Sequence, residues 1–376
     1  MLYFKIAWRN IWRNKRRTLI TISSITVAVA LAIFMRSQQE GSYENMIENT
    51  AGSFIGYLQI HQKGYWEEQN LDNTFEEDSL LEQTLTKQNN IEAIVPRLDY
   101  YALLAGQEKS RAGLIVGIDP FRESALSNPE SKLIEGSYFN DTEESAALVA
   151  EGLANFLDLK VGDSIVVIGQ GYQEQSAVGK YPIKGIFKFP TPEQNKSLMY
   201  LPLRSTQELF SAYGLLTSYN LVLDQPRKVP QIKDKLVAQL DKEKYEIMTW
   251  AEITPELEQL IVSDRIGGVI TIGILYLLVG FGIFGTIIMM TTERRYEFGV
   301  LLGIGMSRLS LGGTIFIETI CLALLGIGVG ITLISPLVWY FHHNPIKITG
   351  EMAKATEEMG LEPIIVYSQN PGIFLE

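Results

Sequence analysis

The hydrophobic residues of this chain are gathered into three long runs separated by ordinary polar sequence. Thr18 to Met35 contains no charged residue, and Ile266 to Met290 and Leu309 to Tyr340 follow far downstream. A transmembrane helix needs roughly 20 mainly apolar residues to cross a hydrocarbon core about 30 Å thick. All three runs approach or exceed that length, so the pattern predicts three transmembrane helices. The predicted spans are 18–36, 263–291 and 310–340.

The long segment between the first two spans alternates between short apolar strands and amphipathic helices. Strands are predicted at 57–61, 91–95, 101–104, 113–118, 165–168, 181–187 and 246–249, the second of them ending at Pro96. Helices are predicted at 38–52, 76–88, 151–159 and 229–240. Because Gly and Pro turns separate the strands, residues around 160 to 225 are predicted to form a small barrel or sandwich. The fold class is an α+β membrane protein with a large mixed α/β domain between its first and second spans.

Charge predicts the orientation of the spans. Lys and Arg near helix ends are retained on the cytoplasmic side, and residues 1–36 contain Lys and Arg but no Asp or Glu. We therefore expect a multi-pass membrane protein with a cytoplasmic N-terminus. The net charge of −11 then falls mainly on the extracytoplasmic side. The predicted order is a cytoplasmic amphipathic helix (1–17), the first span, an extracytoplasmic domain (37–262), the second span, a cytoplasmic loop (292–309), the third span and an extracytoplasmic tail (341–376).

The N-terminal segment leaves alternatives open. Trp8 and Trp12 are interleaved with Arg9 and Arg13, a pattern typical of a helix that lies in the lipid headgroup layer. Alternatively, these positive charges would serve only to keep the N-terminus on the cytoplasmic side. Ala30-Leu31-Ala32 has the form of a signal-peptide cleavage site, but it lies inside the apolar run, which favours a retained span.

The sequence contains no recognisable catalytic or metal-binding motif. It has no Gly-x-x-x-x-Gly-Lys-Ser/Thr loop, which argues against ATP binding by that route. The three histidines are His61, His342 and His343, and the adjacent pair cannot share one helix face as metal ligands. Gly305 to Leu309 begins like a nucleophile elbow but lacks the final glycine. We therefore expect a non-catalytic protein without cofactor, metal or nucleic-acid partner.

Three residues of the third span are candidates for a role inside the membrane. A charged Glu318 would cost roughly 3 kcal/mol at the bilayer centre on insertion scales, so an intramembrane acid is a functional candidate. A hydrogen bond that packs two helices and a role in coupling are both open for it. Gly326 and Gly330 form a small-x-x-x-small face that allows close approach of another helix, in this chain or in a second subunit.

The loop between the second and third spans has the most distinctive sequence. It reads Glu293-Arg294-Arg295-Tyr296-Glu297-Phe298-Gly299, then Val300 to Ile304, then Gly305-Met306-Ser307-Arg308. This loop resembles that of the FtsX/MacB/LolC-E type of ABC transporter permease, whose form is close to Glu-Arg-Arg-x-Glu-Phe-Gly. It departs from the family at Leu302-Gly303-Ile304. The segments 7–18, 159–163 and 185–187 are similar to the same family.

The resemblance implies a mechanical function. In the family this loop is a coupling helix seated on a separate ATPase subunit, and the matching or adjoining residues here are Glu293, Arg294, Arg295, Glu297, Phe298, Gly299, Gly305, Ser307 and Arg308. It also implies a second permease subunit, identical or different, in the same lipid bilayer, which would be the bacterial cytoplasmic (inner) membrane. ATP hydrolysis is expected on the separate ATPase subunit. Motion passed through the spans would act on an extracytoplasmic substrate, for lipoprotein release or for peptide or drug export. An ordinary positive cytoplasmic turn is the alternative for the loop.

The family has four spans, and this sequence stops at Pro371 to Glu376, where the fourth would begin. The chain is therefore expected to lack that helix, either through truncation or with its C-terminus outside. Neither the substrate nor the direction of its movement is indicated. Two other functions stay open: a non-transporting transmembrane signalling protein of the FtsX type, and a membrane-anchored extracytoplasmic receptor.

Overall fold

The computed structural model describes residues 2–13, 15–189, 191–358 and 362–374. The chain divides into two compact units. The helical unit comprises Met1–Asn45, Gln259–Lys347 and Ile364–Glu376, and the sheet unit comprises Met46–Glu258 and Ile348–Pro363. The helices are α1 (Leu2–Arg13), α2 (Lys15–Ile47), α3 (Tyr65–Glu68), α4 (Ser79–Thr86), α5 (Glu151–Leu157), α6 (Pro192–Ser197), α7 (Leu203–Leu209), α8 (Val229–Gln239), α9 (Trp250–Ile253), α10 (Pro255–Glu293), α11 (Arg295–Gly303), α12 (Arg308–His343) and α13 (Glu351–Glu358).

The strands are β1 (Leu58–Gln62), β2 (Phe75–Glu76), β3 (Ile91–Ala105), β4 (Ser110–Ile118), β5 (Leu133–Gly136), β6 (Ala147–Ala150), β7 (Ser164–Gln170), β8 (Ser176–Phe187), β9 (Leu198–Pro202), β10 (Leu215–Leu216), β11 (Ser218–Leu223), β12 (Tyr245–Thr249), β13 (Ile346–Lys347) and β14 (Ile364–Ile365). Most of the strands predicted from the sequence coincide with one of these to within a few residues.

Three long helices carry the apolar runs of the sequence. They are α2, α10 and α12, and each is long and apolar enough to cross a membrane. α2 continues past the predicted end of its span to Ile47 and passes into a π-helical segment, Glu48–Ile55, in agreement with the predicted polar continuation. Pro255 is the first residue of α10, a position where its fixed φ suits a helix and its missing N–H is not needed.

α2 and α12 pack closely because two glycines of α12 face α2. A Cβ added at Gly326 would lie 2.7 Å from the Cβ of Ile25, and one at Gly330 would lie 3.1 Å from that of Val29. The Thr26 hydroxyl also donates a hydrogen bond of 3.1 Å to the carbonyl of Gly326. The small-residue face of the third apolar helix is therefore occupied by the first apolar helix of the same chain.

The chain after α12 folds back onto the helical unit through residues 364–374, which we call the return segment. The Ser37 hydroxyl donates to the carbonyl of Ser368 over 2.7 Å, and the Ser368 amide donates to the carbonyl of Ser37 over 2.9 Å. Tyr367 forms a cluster of three rings with Phe34 and Phe341, whose centroids lie 4.9 and 5.2 Å from its own. The return segment therefore contacts α2 and α12 together, which the hydrophobic pattern does not indicate.

Six strands of the sheet unit close into a barrel. β3 pairs with β4, β4 with β9, β9 with β6, β6 with β8, β8 with β7, and β7 again with β3. Its interior is filled by side chains such as Leu104, Ile115, Val167 and Ala177, which are fully buried. The predicted barrel is thus present, but its wall begins in β3 and β4, well before residue 160. A strand pairing so distant in sequence leaves no local signal.

β3 differs from its prediction, since it is one strand of 15 residues instead of two strands separated at Pro96. The carbonyl of Arg97 accepts a hydrogen bond from Thr217, so Arg97 faces β11 and the neighbouring Pro96 faces the opposite side. On that side β4 pairs with β3 only from Arg97 onward. The missing N–H of Pro96 therefore lies where no strand requires it, and the strand continues.

A buried polar cluster lies on β3 in the sheet unit. Arg97 and Glu123 are both fully buried, and Arg97 Nε donates to Glu123 Oε2 over 3.1 Å. One oxygen of the nearby Asp99 carboxyl, Oδ1, is buried and accepts no hydrogen bond within the described part of the chain. Burial raises the pKa of Asp99 to about 7, although Arg97 acts in the opposite direction. The fold therefore favours the protonated form of this carboxyl.

We expect Asp99→Asn to stabilise the sheet unit progressively as the pH rises. The folded-state pKa of Asp99 lies above its unfolded value. The contribution of this side chain to the free energy of unfolding is therefore complete at acidic pH and is lost as the pH rises through about 7. The amide does not titrate, so its advantage over wild type should grow by roughly 1 kcal/mol between pH 6.5 and 8. Denaturant unfolding of both proteins in nanodiscs measures this difference. An advantage independent of pH would contradict the assignment.

Candidate functional site

The segment between α10 and α12 is a short helix closed by a tight turn. α10 ends at Glu293, α11 runs from Arg295 to Gly303, and Gly305 follows with a φ of +99°, a left-handed conformation that favours glycine. Ser307 caps α12, since its hydroxyl oxygen accepts a hydrogen bond of 3.1 Å from the amide of Ser310. Gly305 and Ser307 therefore shape the turn. We call residues 293–308 the 293–308 loop.

A buried ion pair fixes the start of the 293–308 loop against α12. Arg294 Nη1 lies 3.1 Å from Glu318 Oε2, with side chains that are 6% and 1% exposed. Asn10 of α1 donates its Nδ2 hydrogen to the same carboxylate oxygen over 3.4 Å. Glu318 thus contacts both α1 and the loop. The intramembrane acid of the sequence analysis has a packing partner, and that partner belongs to the loop.

A second ion pair joins the middle of α11 to α1. Arg13 Nη2 donates to both carboxylate oxygens of Glu297, over 2.7 and 2.6 Å. Both side chains are about half exposed, so the pair contributes little stability, on the order of 0–1 kcal/mol. It still orients α11, because the two contacts hold one face of the short helix toward α1.

The remaining residues that the sequence singled out lie mainly at the surface of the loop. Phe298 is half-buried, whereas the others are exposed: Glu293, Arg295, Gly299, Gly305, Ser307 and Arg308. The structure therefore brings Arg294, Glu297 and Glu318 into one contact network with α1. Gly326 and Gly330 lie farther along α12, against α2.

An apolar face of this loop was not predicted from the sequence. Tyr296, Val300 and Ile304 follow one another at intervals of four residues and are 92%, 65% and 77% exposed. Residues four apart lie on the same face of a helix, so Tyr296 and Val300 share one face of α11. Ile304 directly follows the last residue of α11 and extends this stripe. The four-residue spacing of apolar positions in a polar loop was the signal that would have revealed it. We call these residues the α11 stripe.

Two family models match the chain. The model of the MacB-like periplasmic core domain matches residues 18–239, and the model of the FtsX-like permease C-terminal domain matches residues 269–371. The chain belongs to the MacB/FtsX-type family of ABC transporter permeases. The second match covers the 293–308 loop and α12, so the ion pair of Arg294 and Glu318 lies within the family's permease domain.

Curated relatives of this permease are distant. It is 25% identical over 245 residues to an uncharacterized ABC transporter permease protein, Rv0987, of Mycobacterium tuberculosis, covering 63% of this chain and 27% of the relative. It is 24% identical over 221 residues to the uncharacterized ABC transporter permease YclI of Bacillus subtilis, covering 54% of this chain and 44% of the relative. The permease thus spans less than half the length of either relative.

Solved structures similar to the permease include two isolated domains. The periplasmic region of MacB from Actinobacillus actinomycetemcomitans matches with 13% identity and a TM-score of 0.38, covering 56% of this chain and 95% of that one. The extracellular domain of the noncanonic ABC-type transporter YknZ from Gram-positive bacteria matches with 14% identity and a TM-score of 0.36, covering 51% and 99%.

Proposed function

We propose that this permease receives ATP-driven motion from a separate ATPase subunit at the 293–308 loop and passes it to the sheet unit. The α11 stripe is the observation that carries the proposal. Large apolar side chains exposed on a short charged helix mark a protein contact, because water solvates them poorly. An ATPase surface with an apolar groove and a charged rim would bury the stripe and pair with Arg295 and Arg308.

The two ion pairs suit this function because they tie the loop to the helices behind it. Displacement of α11 would move α1 through Arg13 and Glu297, and would move α12 through Arg294 and Glu318. In this proposal the N-terminus and the loop are cytoplasmic, and residues 37–262 and the segment after α12 lie outside an inner membrane. The permease itself binds no nucleotide, and a second permease subunit completes the assembly.

The proposed cargo is a lipoprotein that is released from the membrane, or a peptide or drug-like molecule that is exported. Family membership supports all of these cargoes and does not favour one of them. A non-transporting signalling protein and a membrane-anchored receptor are the alternatives. Recovery of an ATPase separates the receptor from the other two.

We expect Tyr296→Ala with Val300→Ser to abolish recovery of an ATPase with the permease. The double substitution removes most of the α11 stripe and leaves Arg13, Glu297, Arg294 and Glu318 in place. The measurement is purification of the tagged permease from native membranes, followed by mass spectrometry for a protein with an ABC nucleotide-binding domain. Wild type should recover the ATPase, and the variant should recover at least tenfold less.

The matched control is Tyr213→Ala, which removes an exposed tyrosine of the sheet unit that is 71% exposed. This control should recover as much ATPase as wild type. Glu297→Lys with Gly299→Trp, which also disturbs the pair with Arg13, should lose the ATPase as well. If wild type itself recovers no ATPase, the transporter proposal is wrong and the receptor becomes the leading alternative.

A further inference from the structure

His61 lies at the centre of a buried chain of polar contacts in the sheet unit. It is 2% exposed, and Gln59, two residues earlier on β1, is 6% exposed. His61 Nδ1 lies 2.7 Å from the carbonyl oxygen of Thr217, and His61 Nε2 lies 2.9 Å from Gln59 Oε1. Gln59 Nε2 in turn donates to the carbonyl oxygen of Ile55 over 2.6 Å. Two side chains therefore connect two backbone carbonyls through three contacts.

These three contacts need three hydrogen atoms, because the carbonyl oxygen at each end of the chain can only accept. The Gln59 amide donates toward one side only, since its oxygen faces the other. A neutral imidazole adds one N–H, which makes two donors, whereas an imidazolium adds two, which makes three. Turning the amide over, or moving the imidazole proton to the other nitrogen, only shifts the unmet contact to another position. The chain of contacts is therefore complete only when His61 carries both protons.

Opposing effects act on the charge of His61. Burial lowers its pKa to about 4, and a backbone hydrogen bond acts in the opposite direction. Glu246 of β12 is directly opposite His61 in the register of the sheet, and its carboxylate also favours the charged ring. Tyr65, stacked on the imidazole with centroids 5.1 Å apart, stays neutral because burial raises its pKa. The neutral imidazole is therefore favoured near pH 7, and acid adds the second proton.

Other charged groups around this chain of contacts have compensations of their own. Arg97 of β3, on the same face of the sheet as His61, is paired with Glu123. Burial raises the pKa of Asp99, two residues farther along β3, to about 7, so its carboxyl is mainly neutral in acid. Glu48, in the π-helical segment, accepts a hydrogen bond from the Tyr57 hydroxyl. His61 and Glu246 are thus the groups whose charges meet across β1 and β12.

With a neutral ring, the contact that opens is the one at Ile55. Thr217 is fixed, because its amide donates to the carbonyl of Arg97 over 2.9 Å and its hydroxyl oxygen accepts from the amide of Asp99 over 2.9 Å. Ile55 is the last residue of the π-helical segment, and the last carbonyls of a helix have no partner within it. The imidazole then keeps its proton on Nδ1, the Gln59 amide turns to donate to Nε2, and the amide oxygen repels the carbonyl of Ile55.

We propose that His61 is a pH-dependent latch on the end of the π-helical segment. In the protonated state the three contacts are complete, and the carbonyl of Ile55 is held against β1. In the neutral state Gln59 no longer donates to that carbonyl, which moves to find another donor. Because the segment directly continues α2, the latch acts where the chain leaves its first long helix. It depends on no nucleotide and no partner chain, so its failure would leave the proposed ATPase contact unaffected.

The test is a pH titration of the permease in nanodiscs with its three histidines labelled with ¹⁵N. The ring signals of His61 are assigned by their loss in His61→Asn. We expect one protonated ring nitrogen near pH 7 and a growing fraction of rings with two as the pH falls toward 4, while the sheet unit stays folded. A ring that stays neutral until the sheet unit unfolds, or one that already carries two protons near pH 7, would overturn the proposal.

Hydrogen exchange of residues 48–56 measures the latch itself. After correction for the intrinsic effect of pH, protection of this segment relative to α8 should rise about fivefold as His61 gains its second proton, which is the usual effect of one neutral hydrogen bond. The rise should follow the titration of the ring. Protection that does not change with the ring would contradict the latch.

Gln59→Glu is the matched variant, because its carboxylate has almost the shape of the amide. The carboxylate accepts from the protonated ring and raises the pKa of His61, but it cannot donate to the carbonyl of Ile55. We therefore expect His61 to gain its second proton at a higher pH than in wild type, without the gain in protection of residues 48–56. A gain equal to that of wild type would show that the proton acts on the segment without Gln59, and the latch would be wrong.

Discussion

Glu318→Ala is expected to destabilise the helical unit by about 3–5 kcal/mol, the usual cost of removing one partner from a buried ion pair. Arg294 is 5% exposed, and its guanidinium would stay buried without the carboxylate that lies 3.1 Å away. Thermal unfolding of the permease in nanodiscs measures the loss. The same variant should reduce stimulation of the ATPase, since the loop is then no longer tied to α12.

The control for this variant removes both charges together. Arg294→Met with Glu318→Met leaves no unpaired charge and fills a similar volume, so its stability should return to within about 1–2 kcal/mol of wild type. If stimulation of the ATPase depends on the ion pair and not only on a packed contact, the double variant should stay stable and yet fail to stimulate the ATPase. A double variant as unstable as Glu318→Ala would show that the ion pair is not the source of the loss.

Glu123→Ala is expected to have a comparable effect on the sheet unit, again about 3–5 kcal/mol. Arg97 is fully buried and donates two hydrogen bonds to Glu123, and the Ser127 hydroxyl donates to the same carboxylate. Without Glu123 the guanidinium would lose both of these hydrogen bonds, although it would keep its contact with the face of Phe54, 5.1 Å from the ring centroid. Denaturant unfolding followed by fluorescence measures the change.

Two comparisons make the Glu123 result specific. Glu123→Gln keeps an acceptor for Arg97 and should lose roughly half as much stability as Glu123→Ala, because hydrogen bonds remain where the charge is lost. The folded fraction of Glu123→Ala should recover as much ATPase as wild type, since the substitution leaves the 293–308 loop unchanged. A loss of ATPase recovery with Glu123→Ala but not with Glu318→Ala would contradict the proposed location of the docking site.

The three long apolar helices could be predicted from the sequence because length and hydrophobicity are local properties. An apolar run such as Thr18 to Met35 is stable in few conformations other than a helix. The loop was recognisable because its motif consists of consecutive residues. The partners of those residues were not predictable. Glu318 and Arg294 are 24 residues apart, and Asn10 is 308 residues from Glu318. No periodicity in the sequence records such a contact.

In the sheet unit, too, the elements could be predicted from the sequence but their partners could not. Most short strands were predicted near their true positions, because alternation of apolar and polar residues is visible within each strand. Closure of the barrel depends on β7 pairing with both β3 and β8, a choice made by side chains far apart in the chain. Pro96 illustrates a related difficulty. Whether proline ends a strand depends on which side has a neighbour, and one sequence does not show that.

β3 also gives the sheet unit an unusual mechanical property. One half of this strand belongs to the open sheet with β1, β11 and β12, and the other half belongs to the barrel wall. At about 3.3 Å per residue the strand extends for roughly 50 Å through both parts. A force along it loads many backbone hydrogen bonds in parallel instead of opening them singly. β3 is therefore a stiff element within the sheet unit, and a force applied at one end would be transmitted to the other with little extension of the strand.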